Sequence, residues 1–241
     1  EAADGSLSNN GQSTKFVYMD STRGWTAVND DDTRAFGASY HSATGGTITT
    51  SGNFKIHTFT GDGNFVVASV GNCKTPAPER DKINTLVIAG GGGSGYAADG
   101  CSPAGAGGAG GYRFNSAIPV SASPGTYPVT VGGGGNGGTP GDPALGSSGS
   151  NSVFGTITSA GGGGGGGVHT NPGSPRQGGA NGGSGGGGSE GNPDNPSFVT
   201  MPGGSGNTPP VSPPQGNNGG NGVINAAGAG GGAGNIYLSI F

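Results

Sequence analysis

The sequence predicts a mostly β and irregular protein with essentially no α-helix. A β-rich neck over about 1–89 is expected to lead into a glycine-rich polyproline-II helix sandwich over about 90–241. Three observations carry this reading. Gly and Pro supply 61 and 17 of the 241 residues, and these are the strongest punctuators of regular structure. Leu, Ile, Val and Phe together number 36, far fewer than a globular domain of this size normally uses to build a core. The formal net charge is only −4 and charged residues make up 9%, so the chain also lacks the charge that normally accompanies disorder. Glycine is moreover unevenly spread: 10 residues fall in 1–89 and 51 in 90–241, with a sharp change at Ala89-Gly90.

The first half reads as strands. Lys15-Phe16-Val17-Tyr18-Met19, Trp25-Thr26-Ala27-Val28, Thr47-Ile48-Thr49-Thr50, residues 53–59 and Asn64-Phe65-Val66-Val67 are rich in aromatic and β-branched residues. In Phe54-Lys55-Ile56-His57-Thr58-Phe59 the apolar positions mostly alternate, as a half-buried strand requires. Asn10-Gly11, Gly45-Gly46, Ser51-Gly52-Asn53 and Gly61-Asp62-Gly63-Asn64 separate these runs with residues that accept positive φ. Thr85-Leu86-Val87-Ile88-Ala89 then delivers the chain to the glycine region as a buried strand.

Glycine-dense stretches follow at 90–95, 105–111, 132–138, 161–167, 178–191, 203–206, 216–222 and 228–234. Short β islands interrupt them at Tyr112-Arg113-Phe114, Tyr127-Pro128-Val129-Thr130-Val131 and Val153-Phe154-Gly155-Thr156-Ile157. The apolar run Ile236-Tyr237-Leu238-Ser239-Ile240-Phe241 is expected to return as a strand that closes the domain. Glycine-rich chains can be flexible linkers, and collagen is excluded because no Gly-X-Y register persists. The ordered alternative is a bundle of polyproline-II helices. Such a helix has three residues per turn and no internal hydrogen bonds, so its N–H and C=O groups must find neighbours. Glycine on the inward faces lets the backbones approach, and a seven-residue run spans about 22 Å. Ordering glycine costs entropy, and the flanking strands favour the ordered reading.

Several functions are excluded or unsupported. No apolar run approaches the ~18 residues of a membrane span, so no membrane insertion is expected. The mild acidity and lack of a basic patch argue against nucleic acid. Gly90, Gly92 and Gly95 fit a GxGxxG pattern after a strand, but Tyr96-Ala97-Ala98-Asp99-Gly100-Cys101-Ser102-Pro103 cannot start the helix that pattern needs. None of Lys15, Lys55, Lys74 and Lys82 follows a glycine, as a phosphate-cradling loop requires. Cys73 and Cys101 and the scattered His41, His57 and His169 lack zinc spacing. The two cysteines leave open a Cys73–Cys101 disulfide or two separate buried thiols. Asp30-Asp31-Asp32 reads as a solvated turn, with cation binding the weaker alternative. Glu79, Glu190 and Asp194 have no catalytic motif around them, so neither an enzyme nor a cofactor is expected.

Connectors on a rigid scaffold are the usual place for recognition. Tyr96, Asp99, His169, Arg176, Phe198 and Met201 stand out there against small neighbours, and aromatic and Arg side chains are favoured interface anchors. Each also has a simple structural reading, as a side chain folded over the domain's edge.

Several segments together resemble the glycine-rich tail-fibre and adhesin proteins of tailed bacteriophages, especially marine and cyanobacterial phages. Phe16-Val17-Tyr18-Met19-Asp20-Ser21-Thr22-Arg23-Gly24-Trp25 is similar to their VYxDSTxGW strand pair, and residues 46–60 to the hairpin that follows. Residues 86–93, 107–114 and 127–135 resemble their LVVAGGGG, GAGGYR and YPVTVGGGG core. Residues 150–167 and 206–222 complete a likeness that covers most of 13–234. The resemblance implies a virion protein exposed at the tail, commonly a homotrimer held by other tail proteins, which binds a bacterial surface glycan or outer-membrane protein. The chain lacks a baseplate-attachment region and starts at Glu1, which reads as a processed product, a fragment or the distal end of something longer. The rival expectations are a filament or capsid-decorating subunit, paired through 236–241, and an ice-binding bundle. The irregular connectors disfavour the latter.

Overall fold

The computed structural model describes residues 15–22, 24–28, 39–72, 75, 80–97, 102–140, 144–168 and 176–234. Asp30-Asp31-Asp32, Cys73, Asp99, Cys101, His169 and the 236–241 run lie outside the described residues. Strands and irregular backbone make up almost everything described. The helical exception is a single 3-10 turn, Pro196–Phe198. No helix among the described residues is long and apolar enough to cross a membrane.

The strands expected between residues 15 and 159 form. The one over 85–89 is not buried as expected: Val87 and Ala89 are, but Leu86 and Ile88 are 52% and 54% exposed, because only one face of that strand meets the rest of the described chain. β1 (Lys15–Asp20) and β2 (Gly24–Val28) pair antiparallel. β3 (Ser42–Thr44), which the sequence did not announce, is followed by β4 (Thr47–Ser51) and β5 (Phe54–Thr58), a hairpin turned at Gly52. Gly52 has φ +56, a conformation that costs glycine almost nothing. Next come β6 (Gly63–Ser69), β7 (Lys82–Ile88), β8 (Tyr112–Pro119) and β9 (Thr126–Thr130). The island around residue 155 folds as a second hairpin, β10 (Ser152–Phe154) and β11 (Ile157–Ser159), with Gly155 at φ +56.

β11, β10, β9, β6 and β3 form one antiparallel sheet in that order. The compositional step at Ala89-Gly90 is therefore not a boundary in the sheet: β3 and β6 come from before it and β9 to β11 from after it. Phe65, Val67 and Val120 are buried at the centre, with Phe59, Ile83, Tyr127, Val129 and Phe154 packed around them. Phe65 and Phe154 meet edge-on at 5.9 Å, and Tyr127 stacks on Phe154 at 5.9 Å. This cluster is small, in keeping with the shortage of large apolar residues. Thr85 pairs with Asn115 across β7 and β8, yet the buried Thr85 Oγ1 and Asn115 Nδ2 have no hydrogen-bond partner. Removing an unsatisfied buried hydroxyl is favourable, so Thr85→Val is expected to raise stability by about 1 kcal/mol, read as a higher urea midpoint.

The remainder is a bundle of ten extended rods among the described residues: rod 1 (89–97), rod 2 (103–111), rod 3 (131–139), rod 4 (144–151), rod 5 (160–168), rod 6 (176–180), rod 7 (182–191), rod 8 (202–206), rod 9 (216–222) and rod 10 (227–234). Their bonds step by three residues. Ala89, Gly92 and Gly95 donate N–H to the carbonyls of Gly111, Gly108 and Gly105 on rod 2, and Gly90, Gly93 and Tyr96 to Ser150, Ser147 and Ala144 on rod 4. A period of three with no bonds inside the rod is polyproline-II geometry. Every N–H from 182 to 191 in rod 7 is donated to another segment, cycling among rods 2, 6 and 9 and reaching rods 5 and 8. These bonds, more than apolar burial, hold the bundle.

Glycine serves here for space. No rod glycine has a positive φ, but a Cβ on any of the residues 161–167 would come under 3 Å from a carbonyl oxygen of rod 4, rod 2 or rod 6, in turn. Rod 5 is buried along its whole length. On rod 1 two positions in three are closed in this way, while Gly91 has ordinary clearance and Ser94 and Ala97 follow it at steps of three. On rod 3 only Gly132, Gly135 and Gly138 are closed.

Candidate functional site

The rods alternate in direction. Rod 1 is antiparallel to rods 2 and 4 and parallel to rods 3 and 5. Rod 7 is parallel to rods 5 and 9 and antiparallel to rods 2, 6, 8 and 10. Odd-numbered rods thus run away from the five-stranded sheet and even-numbered rods return. Five connectors, 98–102, 140–143, 169–175, 192–201 and 223–226, consequently join rods at the same far end. The opposite end carries β8, β9, the β10–β11 hairpin and the proline-rich loop 207–215.

Of the six residues singled out from the sequence, Tyr96, Arg176, Phe198 and Met201 lie at this far end. Tyr96 is half-buried at the end of rod 1. Its N–H donates to Ala144 and its carbonyl accepts from Val168, so three rods end level with it. Asp99 and His169 fall within the first and third connectors, outside the described residues. Phe198 closes the 3-10 turn of the fourth connector, whose start is capped by Asn195 Oδ1 accepting from the Ser197 N–H.

Two candidates take structural roles. Met201 lies in β12 (Thr200–Met201), which pairs with β13 (Gly222–Val223), and its side chain is only 4% exposed. It packs under the surface and cannot present itself to a partner. Arg176 Nη1 binds Glu190 Oε2 at 3.2 Å, with the side chains 16% and 8% exposed. Glu190 Oε1 also accepts from the Asn225 N–H at 3.3 Å. The pair ties the start of rod 6, the end of rod 7 and the fifth connector together. Arg176→Ala would strand a nearly buried carboxylate, and its expected cost is about 3 kcal/mol. Thermal melting would register this, with Glu190→Gln/Arg176→Gln recovering part of the loss.

The sequence reading missed Val199, Val223 and Ile224, which are exposed at this end. Thr200 pairs with Val223, and Gly191 bridges to Ile224, so the backbones of the fourth and fifth connectors run side by side here. No periodic pattern flags the three aliphatic side chains, because each sits singly between polar or small residues. Asp194 of the fourth connector is also exposed, its N–H bonded to Asn192 Oδ1. The described part of the end surface offers amide, hydroxyl and aliphatic groups beside the Asp194 carboxylate. No cluster of metal-ligating side chains occurs among the described residues.

A family model described as a glycine-rich domain matches residues 67–239, a span that begins inside β6 and includes all ten rods. No curated protein and no solved structure matches the chain.

Proposed function

The chain belongs to the glycine-rich domain family, and from that premise we propose that it is the distal part of a bacteriophage tail fibre, a virion protein that attaches to the host surface through the connector end of the bundle. The observation that carries the reading is the convergence of five connectors at the end far from the sheet. Rods fixed by backbone bonds leave that end free to vary without loss of the scaffold, the arrangement recognition loops use. The resemblance of residues 16–25, 46–60 and 86–135 to phage fibre sequences supports the virion setting. The amide and hydroxyl groups of the described end surface suit a bacterial surface glycan or the loops of an outer-membrane protein. In a homotrimer attached to other tail proteins, three such ends would combine weak single sites by avidity. The role needs no catalytic step and no cofactor.

The test is adsorption of the purified chain to a panel of cyanobacterial and other marine bacterial cells. Replacing 169–175 and 192–199 by Gly/Ser segments of equal length is expected to lower binding at least tenfold with the melting temperature unchanged. The same exchange of 210–214, at the opposite end, is expected to leave binding intact. Binding that survives the first exchange, or falls equally with the second, would sink the reading. Light scattering on the same sample reads the oligomer directly, and a monomer would remove the avidity argument.

A further inference from the structure

Four Asn-Gly pairs fall among the described residues, at Asn136, Asn181, Asn218 and Asn221. This dipeptide can react with itself. The glycine nitrogen attacks the side-chain carbon of the asparagine, and glycine has no side chain to shield that nitrogen. The reaction needs an asparagine amide at liberty to turn back on its own chain, and a following N–H committed to no other acceptor. The bundle grants these unequally.

At three of the four pairs the groups are held. Asn181 Oδ1 accepts from the Ser205 N–H at 2.7 Å while the Gly182 N–H donates to the Ser205 carbonyl at 3.0 Å, so one residue of rod 8 clamps both. Asn218 Oδ1 accepts from the Gly206 N–H at 2.8 Å, and the Gly219 N–H donates to the Gly204 carbonyl at 2.9 Å. Asn221 Oδ1 accepts from the Gly203 N–H at 3.0 Å, and Gly222 is paired with Met201 in the β12–β13 ladder. Asn136 differs. It is exposed on rod 3, and among the described residues neither its side-chain amide nor the Gly137 N–H has a hydrogen-bond partner. A Cβ at Gly137 would meet nothing nearer than 3.8 Å, so the surroundings of that residue are open as well.

We infer that Asn136 is a self-modification site, at which this chain deamidates through a succinimide. The Gly137 nitrogen gives its proton to solvent base and bonds to Asn136 Cγ, and the side-chain nitrogen takes up a proton from water and departs as ammonia. Water then opens the ring. Breaking the new bond between Cγ and nitrogen leaves aspartate. Breaking the original bond between the Asn136 carbonyl carbon and nitrogen leaves isoaspartate, with the main chain routed through Cγ. Water is the one co-reactant, and nothing is oxidised or reduced. Either product adds one carboxylate to a chain whose formal charge is −4. Isoaspartate also adds a carbon to the main chain, inside a rod whose bonds step by three residues. The Gly135 N–H bond to Gly91 and the Gly138 N–H bond to Ser94, both 2.8 Å, then cannot both keep register. Rod 3 is expected to come away from rod 1 beyond residue 136, on the side that leads to the 140–143 connector. This assignment is independent of host binding.

Peptide mapping of the whole protein after incubation at mildly alkaline pH is the experiment. Isoaspartate is expected at Asn136 at least tenfold faster than at Asn181, Asn218 or Asn221, because each of those must first open locally. Repeating the incubation in urea removes the fold. The three held sites are then expected to speed up at least tenfold, and Asn136 less than threefold. Gly137→Ala is expected to slow the reaction at Asn136 several-fold, by crowding the attacking nitrogen, without lowering the melting temperature. Equal rates at the four sites in the folded protein would overturn the proposal. So would an acceleration of Asn136 by urea as large as that of the others, or a Gly137→Ala rate equal to the parent's.

Discussion

Gly164→Ala is expected to destabilise the protein by about 3 kcal/mol or more, which for a chain of this size lowers the melting temperature by about 10 °C. The new Cβ would sit under 3 Å from the Gly146 carbonyl oxygen of rod 4, and backbone cannot swing aside as a flexible side chain can. Room could come only from separating rods 4 and 5. That would stretch the bonds from Gly146 N–H to Gly165 and from Gly149 N–H to Gly162, now 3.0 and 2.9 Å. Rod 5 could not retreat either, because the Gly164 carbonyl accepts from Ala180 on rod 6 at 2.8 Å. Gly133→Ala is the matched control. Nothing lies within 4 Å of a Cβ there, its φ is not in the left-handed region, and the loss of unfolded-chain freedom is expected to stabilise by about 0.5 kcal/mol. Calorimetry of the two variants decides the point. Equal melting temperatures would mean that rods 4 and 5 are not in bonding contact.

Gln215→Leu carries the second large effect, at the other end of the molecule. Gln215 is 1% exposed. Its Oε1 accepts from Ala160 N–H at 2.9 Å, and its Nε2 donates to the Pro209 carbonyl at 2.9 Å. Its own N–H reaches Asn207 Oδ1, and its carbonyl receives Tyr112 and Gly234. One side chain thus fastens the 207–215 loop to the start of rod 5, while its backbone joins β8 to rod 10. Leucine keeps the volume but leaves a donor and an acceptor buried and unpaired, a loss of about 3 kcal/mol. The urea midpoint should fall with the slope unchanged, and hydrogen exchange at Ala160 should accelerate. Exchange at Ala160 equal to the parent protein would contradict this role. Gln215→Glu should be at least as damaging, since it sets a carboxylate oxygen against the Pro209 carbonyl.

Local patterns located most of the strands because β-branched and aromatic residues alternate within them and Gly-rich turns bound them. They did not find β3, whose Ser-Ala-Thr has no apolar signal and forms only because β6 offers an open edge. Nor did glycine density find rod 4. Residues 144–151 hold just Gly146 and Gly149, yet those two are the closed positions of an outer rod, and a glycine at every third residue was the usable signal. The dense stretch 178–191 is two rods, 6 and 7, because the chain reverses at Asn181, whose Oδ1 accepts from Ser205 N–H. At the far end local patterns misjudged individual side chains. Met201 looked available and is buried, whereas Val199, Val223 and Ile224 looked ordinary and are exposed.

By itself the sequence determined how crowded each rod must be. Every L-residue carries a Cβ, and a polyproline-II rod has three faces, so the number of glycines in each set of three limits how many faces can meet another backbone closely. Seven consecutive glycines at 161–167 permit contact on all three and fit a central rod. The closed positions 132, 135 and 138, with side chains tolerated between them, fit a rod at the margin. Which rods become neighbours was decided by the tertiary structure alone. Glycine presents the same bare backbone to every partner, so nothing in a glycine run encodes whether rod 7 bonds to rod 2 or to rod 9. That choice rests on the lengths of the connectors, on the sheet that anchors one end, and on isolated polar side chains such as Gln215 and Glu190, whose partners lie far away in sequence.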